Sequence, residues 1–473
     1  MAILFAADAL VAVNPVPWAR AQMAFTLAMH IILVPLGVSW AFIALIANYR
    51  GLKKNEPESL ALAQRWSKYM AVTFAVGAVS GTVLTFEFGL LWPRFMGQWG
   101  EAFGIPFAFE GIFFFLEAIF ISIYIYGWRR MKPWTHFWTG VPVVLSGILG
   151  SASVVAANAW MNEPSGFTMD ASGQITAVDP WGVIFNKAMP LQALHMIVAA
   201  YVVGGFLIAS VYAMGMLRGR RDRYHRIGFL IPFTVAIVFS PIQMFVGDAL
   251  ARWVYSNQPV KFAAIELEPN TSSDVPETLL GHLNADGTVT GGIPIPGLAS
   301  WLSDPGTGKA TVVQGLNTVP VANQPTIAEI NVVHLSWDVM VGLGTFLALL
   351  SAWYALSWLI KRDMPKSRWF LRIAASTGVL SVIAMEAGWI VTEVGRQPWI
   401  VYNLMRVEAA ATGNAGVWVT FLGVLALYAG VAVTLILVLR LMSRRYRGEE
   451  GGGDDDVPYG PRSTPDLDES TVG

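Results

Sequence analysis

Several polar side chains interrupt long apolar segments, and their types suit the binding of iron. Ionisable residues inside a membrane span are costly and by default indicate function. Histidine, methionine and carboxylates can ligate haem iron, and a His/Met pair is typical of an electron-transferring haem. The chain has no cysteine, which excludes disulfides, iron–sulfur clusters and thiolate sites. The candidate residues are His30, Glu110, Glu117, His195, Asp248, Met340 and Glu386.

Each candidate also has a structural interpretation. His30 could bond a backbone carbonyl, His195 could lie near the membrane interface, and Met340 could simply fill a packing gap. Glu110 and Glu117 are seven residues apart and therefore share one helix face. They could form a proton relay, a pair of ligands or a structural carboxylate pair. The six histidines stand apart in the sequence, which disfavours a copper–haem oxygen site.

The elements that must position these side chains are predicted to be transmembrane helices. Of 473 residues, 55% are hydrophobic and 13% charged, whereas soluble domains are about one quarter charged. Strands of a membrane barrel would be shorter and would alternate. We therefore predict an all-α, polytopic membrane protein with about nine transmembrane helices, each long enough to span. The apolar segments are Ala19–Ala47, Trp66–Leu84, Pro106–Tyr126, Phe137–Asn158, Pro190–Met216, Ile227–Leu250, Val332–Leu359, Trp369–Val391 and Gly416–Leu441.

Lysine and arginine are distributed unevenly between the loops. Most of the 31 basic residues lie in every second loop, around 50–68, 129–132, 218–226, 361–372 and 440–447. Because cytoplasmic loops carry the excess of basic residues, the N-terminus is predicted outside and the C-terminus in the cytoplasm. With this orientation, most of the polar groups within the spans fall in the outer half of the bilayer.

The predicted domain organisation is simple. Residues 1–442 form one transmembrane helical domain, and within it residues 251–331 form a long outer loop rich in Pro, Gly, Asn and Thr. Such a loop is usually functional or mobile. The tail, 443–473, contains GGGDDD and is predicted to be disordered and cytoplasmic. We see no cleavable signal peptide. A proton-coupled transporter is disfavoured because neither inverted repeats nor broken helices are apparent.

The chain resembles subunit I of cytochrome bd quinol oxidase over nearly its whole length up to the tail. The matching stretches, in order, are RAQMAFTLAMHIILVPL, FEFG, FAFEGIFFFLEAIF, ANAWMNEP, KFAAIELE and EAGWIVTEVGRQPW. The resemblance implies the haem-bearing catalytic subunit of a bd-type terminal oxidase of the respiratory chain. Such an enzyme oxidises quinol on the outer side and reduces O2 to water without copper. It generates a proton gradient without pumping.

The resemblance also implies the setting and the partners. The location is the bacterial plasma (inner) membrane. The partners are cytochrome bd subunit II, membrane quinol (ubiquinol or menaquinol), O2 and, as a further candidate, a small accessory subunit. No nucleic acid is expected. The implied cofactors are haem b558, haem b595 and haem d, or a third haem b in place of haem d.

By resemblance, individual residues acquire roles as haem ligands. His195 and Met340 match the axial ligands of haem b558, which transfers electrons. His30 matches the ligand of one high-spin haem and Glu386 the ligand of the other, and the sequence leaves open which haem each one serves. Glu110 and Glu117 match two glutamates near the high-spin pair, as proton donors or a distal ligand.

The resemblance assigns Lys261 and Glu266 to the quinol-binding pair of the outer loop, although by themselves they would be expected to form a solvated charge pair. Arg396 is a candidate partner of haem propionates, and its alternative is an interfacial arginine.

Three further residues near the candidate ligands depart from the expected pattern or have no assigned role. Asp338 stands where the family commonly has a basic or amide residue, so we expect an altered environment for the low-spin haem. His334, six residues before Met340, is the alternative axial ligand. Glu393 has no assigned role.

Overall fold

Long apolar helices make up the computed structural model, which describes residues 14–448. Within those residues, nine stretches are long and apolar enough to cross a membrane. This confirms the predicted fold class and the number of spans, while the orientation of the termini stays a prediction. The long helices are α1 (Pro15–Ile31), α2 (Val34–Lys54), α3 (Pro57–Leu91), α4 (Pro93–Gly127), α5 (Pro133–Asn162), α7 (Met189–Leu217), α8 (Arg223–Asn257), α11 (Ile327–Lys361), α12 (Arg368–Val394) and α14 (Val417–Gly448).

The first span consists of two helices, α1 and α2, with a break just after His30. Pro35 lies in the first turn of α2. Proline has no backbone N–H, so it cannot donate to the carbonyl four residues earlier. At the break, the N–H of Leu33 instead donates to His30 O at 2.9 Å. The regular helix is thus interrupted beside a candidate ligand.

Helix α7 is the central element of the bundle and packs against α2, α5, α8 and α12. Its glycines permit close approach. A Cβ on Gly204 would lie 1.7 Å from Ser39 Oγ, and one on Gly205 would lie 2.7 Å from Pro232 O. Larger residues at these two positions would force the helices apart. Helix α7 is therefore held firmly, and it carries His195.

The connections on the predicted outer side contain short, ordered elements. The predicted outer loop, 251–331, begins within α8 and ends within α11, so its structured connection is shorter than the predicted range. The strands of these connections are β1 (Phe167–Met169), β2 (Ile175–Val178), β3 (Glu277–Leu279), β4 (His282–Leu283), β5 (Val289–Thr290), β6 (Ile293–Ile295), β7 (Trp399–Val401) and β8 (Met405–Arg406). Within the outer loop, β3 pairs with β6 and β4 with β5, while the pairs β1–β2 and β7–β8 lie in other connections.

Short helices complete these connections. They are α6 (Pro180–Ile184), α9 (Pro259–Ile265), α10 (Leu298–Ser303) and α13 (Val407–Ala410), with 3-10 turns at Gly308–Ala310, Leu316–Thr318 and Val321–Asn323.

The C-terminal helix extends further than predicted. Helix α14 runs to Gly448, so residues 443–448 are helical and do not begin the predicted tail. The apolar segment is followed by the basic stretch SRRYRG, residues 443–448, which is still part of α14. Residues 449–473 of the predicted tail lie outside the described residues.

A buried carboxylate fixes the turn between α2 and α3, on the predicted cytoplasmic side. Glu56 accepts hydrogen bonds from Arg50 and Ser59, and its Oε1 lies 2.6 Å from Arg223 Nη2 of α8. The side chain is only 2% exposed. The hydrogen bond from Arg50 is the main cause that lowers the pKa of Glu56 to about 2. One carboxylate thereby ties three helices together.

We predict that Glu56→Gln lowers the stability of the assembled protein by on the order of 1–3 kcal/mol at neutral pH, because charged hydrogen bonds are lost. A lowered pKa contributes stability above the ordinary value of 4.5 that is lost as pH falls towards about 2. The difference between wild type and variant should therefore shrink in that pH window. Thermal unfolding of the purified protein as a function of pH measures this.

Glu58→Gln is the matched control, since Glu58 Oε1 is 3.6 Å from Arg223 Nε and more exposed. Equal stability losses for the two variants would contradict the prediction.

Candidate active site

One cavity of about 450 Å³ brings together five residues that the sequence singled out, one of which is Asp248 of α8. His195 comes from α7 and Met340 from α11, whereas Lys261 and Glu266 come from the short helix α9 and its C-terminal end. These residues are far apart in the chain. Their convergence in one space is the central observation about this site.

The histidine and methionine lie against small residues. A Cβ on Gly388 would be 2.9 Å from Met340 Sδ, and one on Gly247 would be 3.4 Å from His195 Cε1. The amide nitrogen of Gln243 lies 3.1 Å from His195 Nε2. The two possible axial ligands therefore border a cavity whose walls are kept open by glycines. A flat cofactor such as haem fits this donor set.

His334, the alternative ligand, is occupied elsewhere. Its Nδ1 donates to Ile265 O at 2.7 Å, and its Nε2 accepts from the N–H of Gly281 at 3.2 Å. The residue is buried and does not line the cavity, whereas Met340 does. Of the two candidates on α11, Met340 is the one in position to meet a cofactor.

His334 belongs to a set of three side chains that hold the outer connection. Asn331 accepts from the Leu283 N–H at 2.8 Å and donates to Leu283 O at 3.0 Å. Asp338 accepts from the Leu280 N–H at 2.6 Å. These contacts bind backbone groups of residues 280–283 to one face of α11. Asp338 therefore has a structural partner that its sequence position did not suggest.

Lys261 is buried on the extramembrane helix α9. Its Nζ donates to Asn162 Oδ1 at 2.8 Å, and only 4% of the residue is exposed. Burial, reinforced by the positive charge of Arg396, lowers the pKa of Lys261 to about 7. The group can therefore gain or lose a proton near neutral pH. It is not the solvated surface charge that its sequence position suggested.

Arg396 and Glu393 form a buried polar network with α5. Arg396 Nη2 lies 2.6 Å from Glu393 Oε2, and Asn158 donates to Glu393 Oε1. Asn162 bonds Asn158 in turn, so the network reaches Lys261. Glu393, which had no assigned role, neutralises Arg396.

Arg396 retains unused donors. Its Nε and Nη1 are buried and have no hydrogen-bond partner among the described residues. An unsatisfied buried polar group costs about 1–3 kcal/mol. An anionic group such as a propionate would remove this cost. The donor set of Arg396 therefore fits the edge of a haem.

Glu266 has a second carboxyl beside it. Glu277, at the start of β3, lines the same cavity and lies close to Glu266. Burial, and then the negative charge of Glu277, hold the pKa of Glu266 well above its usual range. Sequence reasoning missed Glu277, because the two residues are joined by a connection with no regular period.

His30 lies in a separate environment between α1 and α3. Its Nδ1 is 2.8 Å from Ser80 Oγ, and a Cβ on Gly81 would be 3.2 Å from its Cε1. One turn earlier in α1, Thr26 donates to the buried Glu87 at 3.0 Å. The other carboxyl oxygen of Glu87 has no partner among the described residues. Small neighbours again surround a candidate histidine ligand.

The remaining carboxyls lie outside the first cavity. Glu386 is next to Met385, which lines the cavity, but Glu386 itself does not. Its Oε1 is buried with no hydrogen-bond partner among the described residues. Glu117 Oε1 would be 3.4 Å from a Cβ on Gly147 of α5, and Glu110 lies on the same face of α4. No grouping of metal-ligating side chains typical of a bare ion occurs in residues 14–448.

A histidine and a methionine bordering one cavity in a bundle of apolar helices are typical of membrane redox proteins that hold haem. Residues 18–447 match the family model described as cytochrome bd terminal oxidase subunit I. The chain belongs to this family, whose activity is quinol:oxygen oxidoreduction. Membership implies haem cofactors, a subunit II partner, and quinol and O2 as substrates.

Similar proteins cover almost the entire chain. The solved structure of bd oxidase from Geobacillus thermodenitrificans matches with a TM-score of 0.85 and 34% identity, covering 91% of this chain and 99% of that one. A Bacillus subtilis (strain 168) protein with the provisional name cytochrome bd menaquinol oxidase subunit I is 33% identical over 91% of this chain and 97% of its own. Cytochrome bd ubiquinol oxidase subunit 1 of the same organism is 29% identical over 93% and 95%, respectively.

We predict that Asn331→Ala loosens the outer connection, because both hydrogen bonds to Leu283 are lost. Two such bonds together contribute on the order of 1–3 kcal/mol. Amide hydrogen exchange of residues 277–284 should accelerate by about 10-fold or more. Asn257→Ala is the control, since its side chain bonds only Trp253 O within α8. Unchanged exchange in Asn331→Ala would show that the contacts to α11 do not hold this segment.

Proposed function

We propose that this chain is the haem-bearing catalytic subunit of a bd-type oxidase in the bacterial plasma membrane. In this proposal, electrons from quinol pass via haem b558 to a high-spin pair, haem b595 and haem d or a third haem b. The supporting observation is the single cavity bordered by His195, Met340, Lys261 and Glu266. A ligand pair and a proton-handling pair thus share one space.

The ligand assignments follow from the donor sets. His195 and Met340 would hold haem b558, with Arg396 binding its propionates through the free Nε and Nη1 donors. His30 and Glu386 would hold the high-spin haems, each from its own site outside the first cavity. When bound, the haems supply electron transfer and the reduction of O2 to water.

At the outer side, this chain's residues would bind and deprotonate quinol. Lys261 Nζ is placed to donate a hydrogen bond to a quinol oxygen, while Asn162 fixes its position. Glu266 would accept a proton from the hydroxyl as electrons leave. Because α9 lies outside the spans, the released protons would reach the outer water.

The protons consumed with O2 would come from the opposite side. Glu110 and Glu117, on one face of α4, are proposed to carry them towards the high-spin site. Taking up protons inside and releasing others outside separates charge without pumping. The proposed partners are subunit II, a membrane quinol of the ubiquinol or menaquinol type, and a small accessory subunit.

We predict that His195→Ala and Met340→Leu each abolish the low-spin haem signal in the reduced-minus-oxidised optical spectrum. Quinol oxidase activity should fall by about 100-fold or more, because the ligand is lost outright. His334→Ala is the control on α11 and should keep the signal, since both its ring nitrogens bond protein backbone. Loss of the low-spin signal in His334→Ala, with retention in Met340→Leu, would reverse the assignment.

For the quinol site, Lys261→Met should lower quinol oxidation by about 100-fold and leave the haem spectrum unchanged. Lys187→Met, in another outer connection, is the matched control and should retain full activity. Oxygen consumption with a short-chain quinol is the measurement. Normal quinol kinetics in Lys261→Met would contradict the role given to this residue.

A further inference from the structure

Glu277 is a buried carboxyl that the proposed mechanism does not yet use. It begins β3, lines the cavity of about 450 Å³ together with Glu266, and is 9% exposed, while Glu266 is 6% exposed. The inference below rests on the proposed quinol site at Lys261 and Glu266.

The two carboxyl groups line the same cavity and lie close enough to share a hydrogen bond. A carboxylate can only accept a hydrogen bond, so one member of the pair must carry a proton. Two neighbouring buried carboxyls cannot both ionise without a large cost. The pair therefore holds at least one proton, and its singly protonated form carries one negative charge.

The surroundings reinforce this state. Burial is the main cause that raises the pKa of Glu277, and the charge of Asp338 adds to it. Trp337 lies near Glu277 and also lines the cavity. The other titratable or charged groups facing the pair or lining the cavity are His334 on α11, Glu268 after α9, Lys261, Arg252 and Asp248.

The position of Glu277 is fixed by the fold. The segment that follows it is bound to α11 through Asn331, His334 and Asp338, and β3 pairs with β6, with Glu277 opposite Ile295. A carboxyl with only a packing role could be replaced by an apolar side chain at little or no cost. Here it is held beside the residue that would deprotonate the substrate.

We propose that Glu277 is the proton-sharing partner of Glu266, and that the two carboxyls together take up a quinol proton and pass it to the outer water.

The quinol O–H bond breaks and a new O–H bond forms on the carboxylate of the pair, so the pair changes from one proton to two and its charge from −1 to zero. The quinol's electrons leave to the haem acceptors of the established activity. The added proton then departs to the outer side and restores the singly protonated pair for the second hydroxyl.

The test compares Glu277→Gln with Glu268→Gln in the assembled oxidase. Glu268 is a nearby carboxyl of the same connection that does not line the cavity. Quinol oxidation is measured against pH, and oxygen reduction is measured separately with an artificial donor that bypasses the quinol site. For Glu277→Gln we expect kcat with quinol to fall by about 10-fold or more, with KM changed only a few-fold.

One ionisation should also disappear from the pH profile of kcat/KM in Glu277→Gln, because a lone carboxyl titrates once. Artificial-donor activity should be unchanged, and Glu268→Gln should keep both ionisations and a kcat with quinol close to that of wild type. Glu277→Asp keeps a carboxyl and should restore the second ionisation.

Three results would overturn the inference. If Glu277→Gln has a wild-type rate and pH profile while Glu266→Gln is impaired, the role given to Glu277 is wrong and the proposed quinol site is retained. Normal quinol oxidation in Glu266→Gln as well would instead remove the proposed site itself. If neither Glu277→Gln nor Glu277→Met assembles while Glu277→Asp does, the carboxyl is structural and the proposal fails.

Discussion

Moving a charge from water into an apolar helix bundle costs several kcal/mol unless a partner compensates it. The described buried charges of this protein therefore need partners, and several of them are paired within the fold. Arg396 is neutralised by Glu393, and Lys261 is bonded to Asn162 with its pKa lowered to about 7. The groups left unsatisfied are informative for the same reason. The free donors of Arg396 and the free oxygen of Glu386 are buried with no partner among the described residues, and for this reason we propose that both residues meet a haem.

The outer connection and the membrane helices form one structural unit. Helix α11 carries Met340 towards the cavity, while its first turns bind residues 280–283 through Asn331, His334 and Asp338. Helix α11 therefore links the segment that follows Glu277 to the Met340 thioether in the cavity.

The resemblance to bd oxidases and the hydropathy of the chain predicted much of this organisation. The number of spans was correct because each span is a continuous apolar run, a local property. Lys261 lies in the same cavity as His195, and the roles given to the two residues stay predictions. What could not be predicted was the environment of each polar group. Lys261 looked like a solvated charge and is buried, and His334 looked like a rival ligand and binds a loop.

Glu277 marks the limit of inference from sequence most clearly. Ten residues of irregular chain separate it from Glu266, and no periodicity relates the two, so only the folded connection brings their carboxyls together.

By itself, the sequence determined the class of the protein, its spans and a short set of candidate ligands, because hydrophobic length and motif order are properties of the linear chain. Only the tertiary structure decided which candidates share a cavity, which histidine is free to face it, and which charges are paired. Those properties depend on contacts between distant segments, whose energies are set by burial.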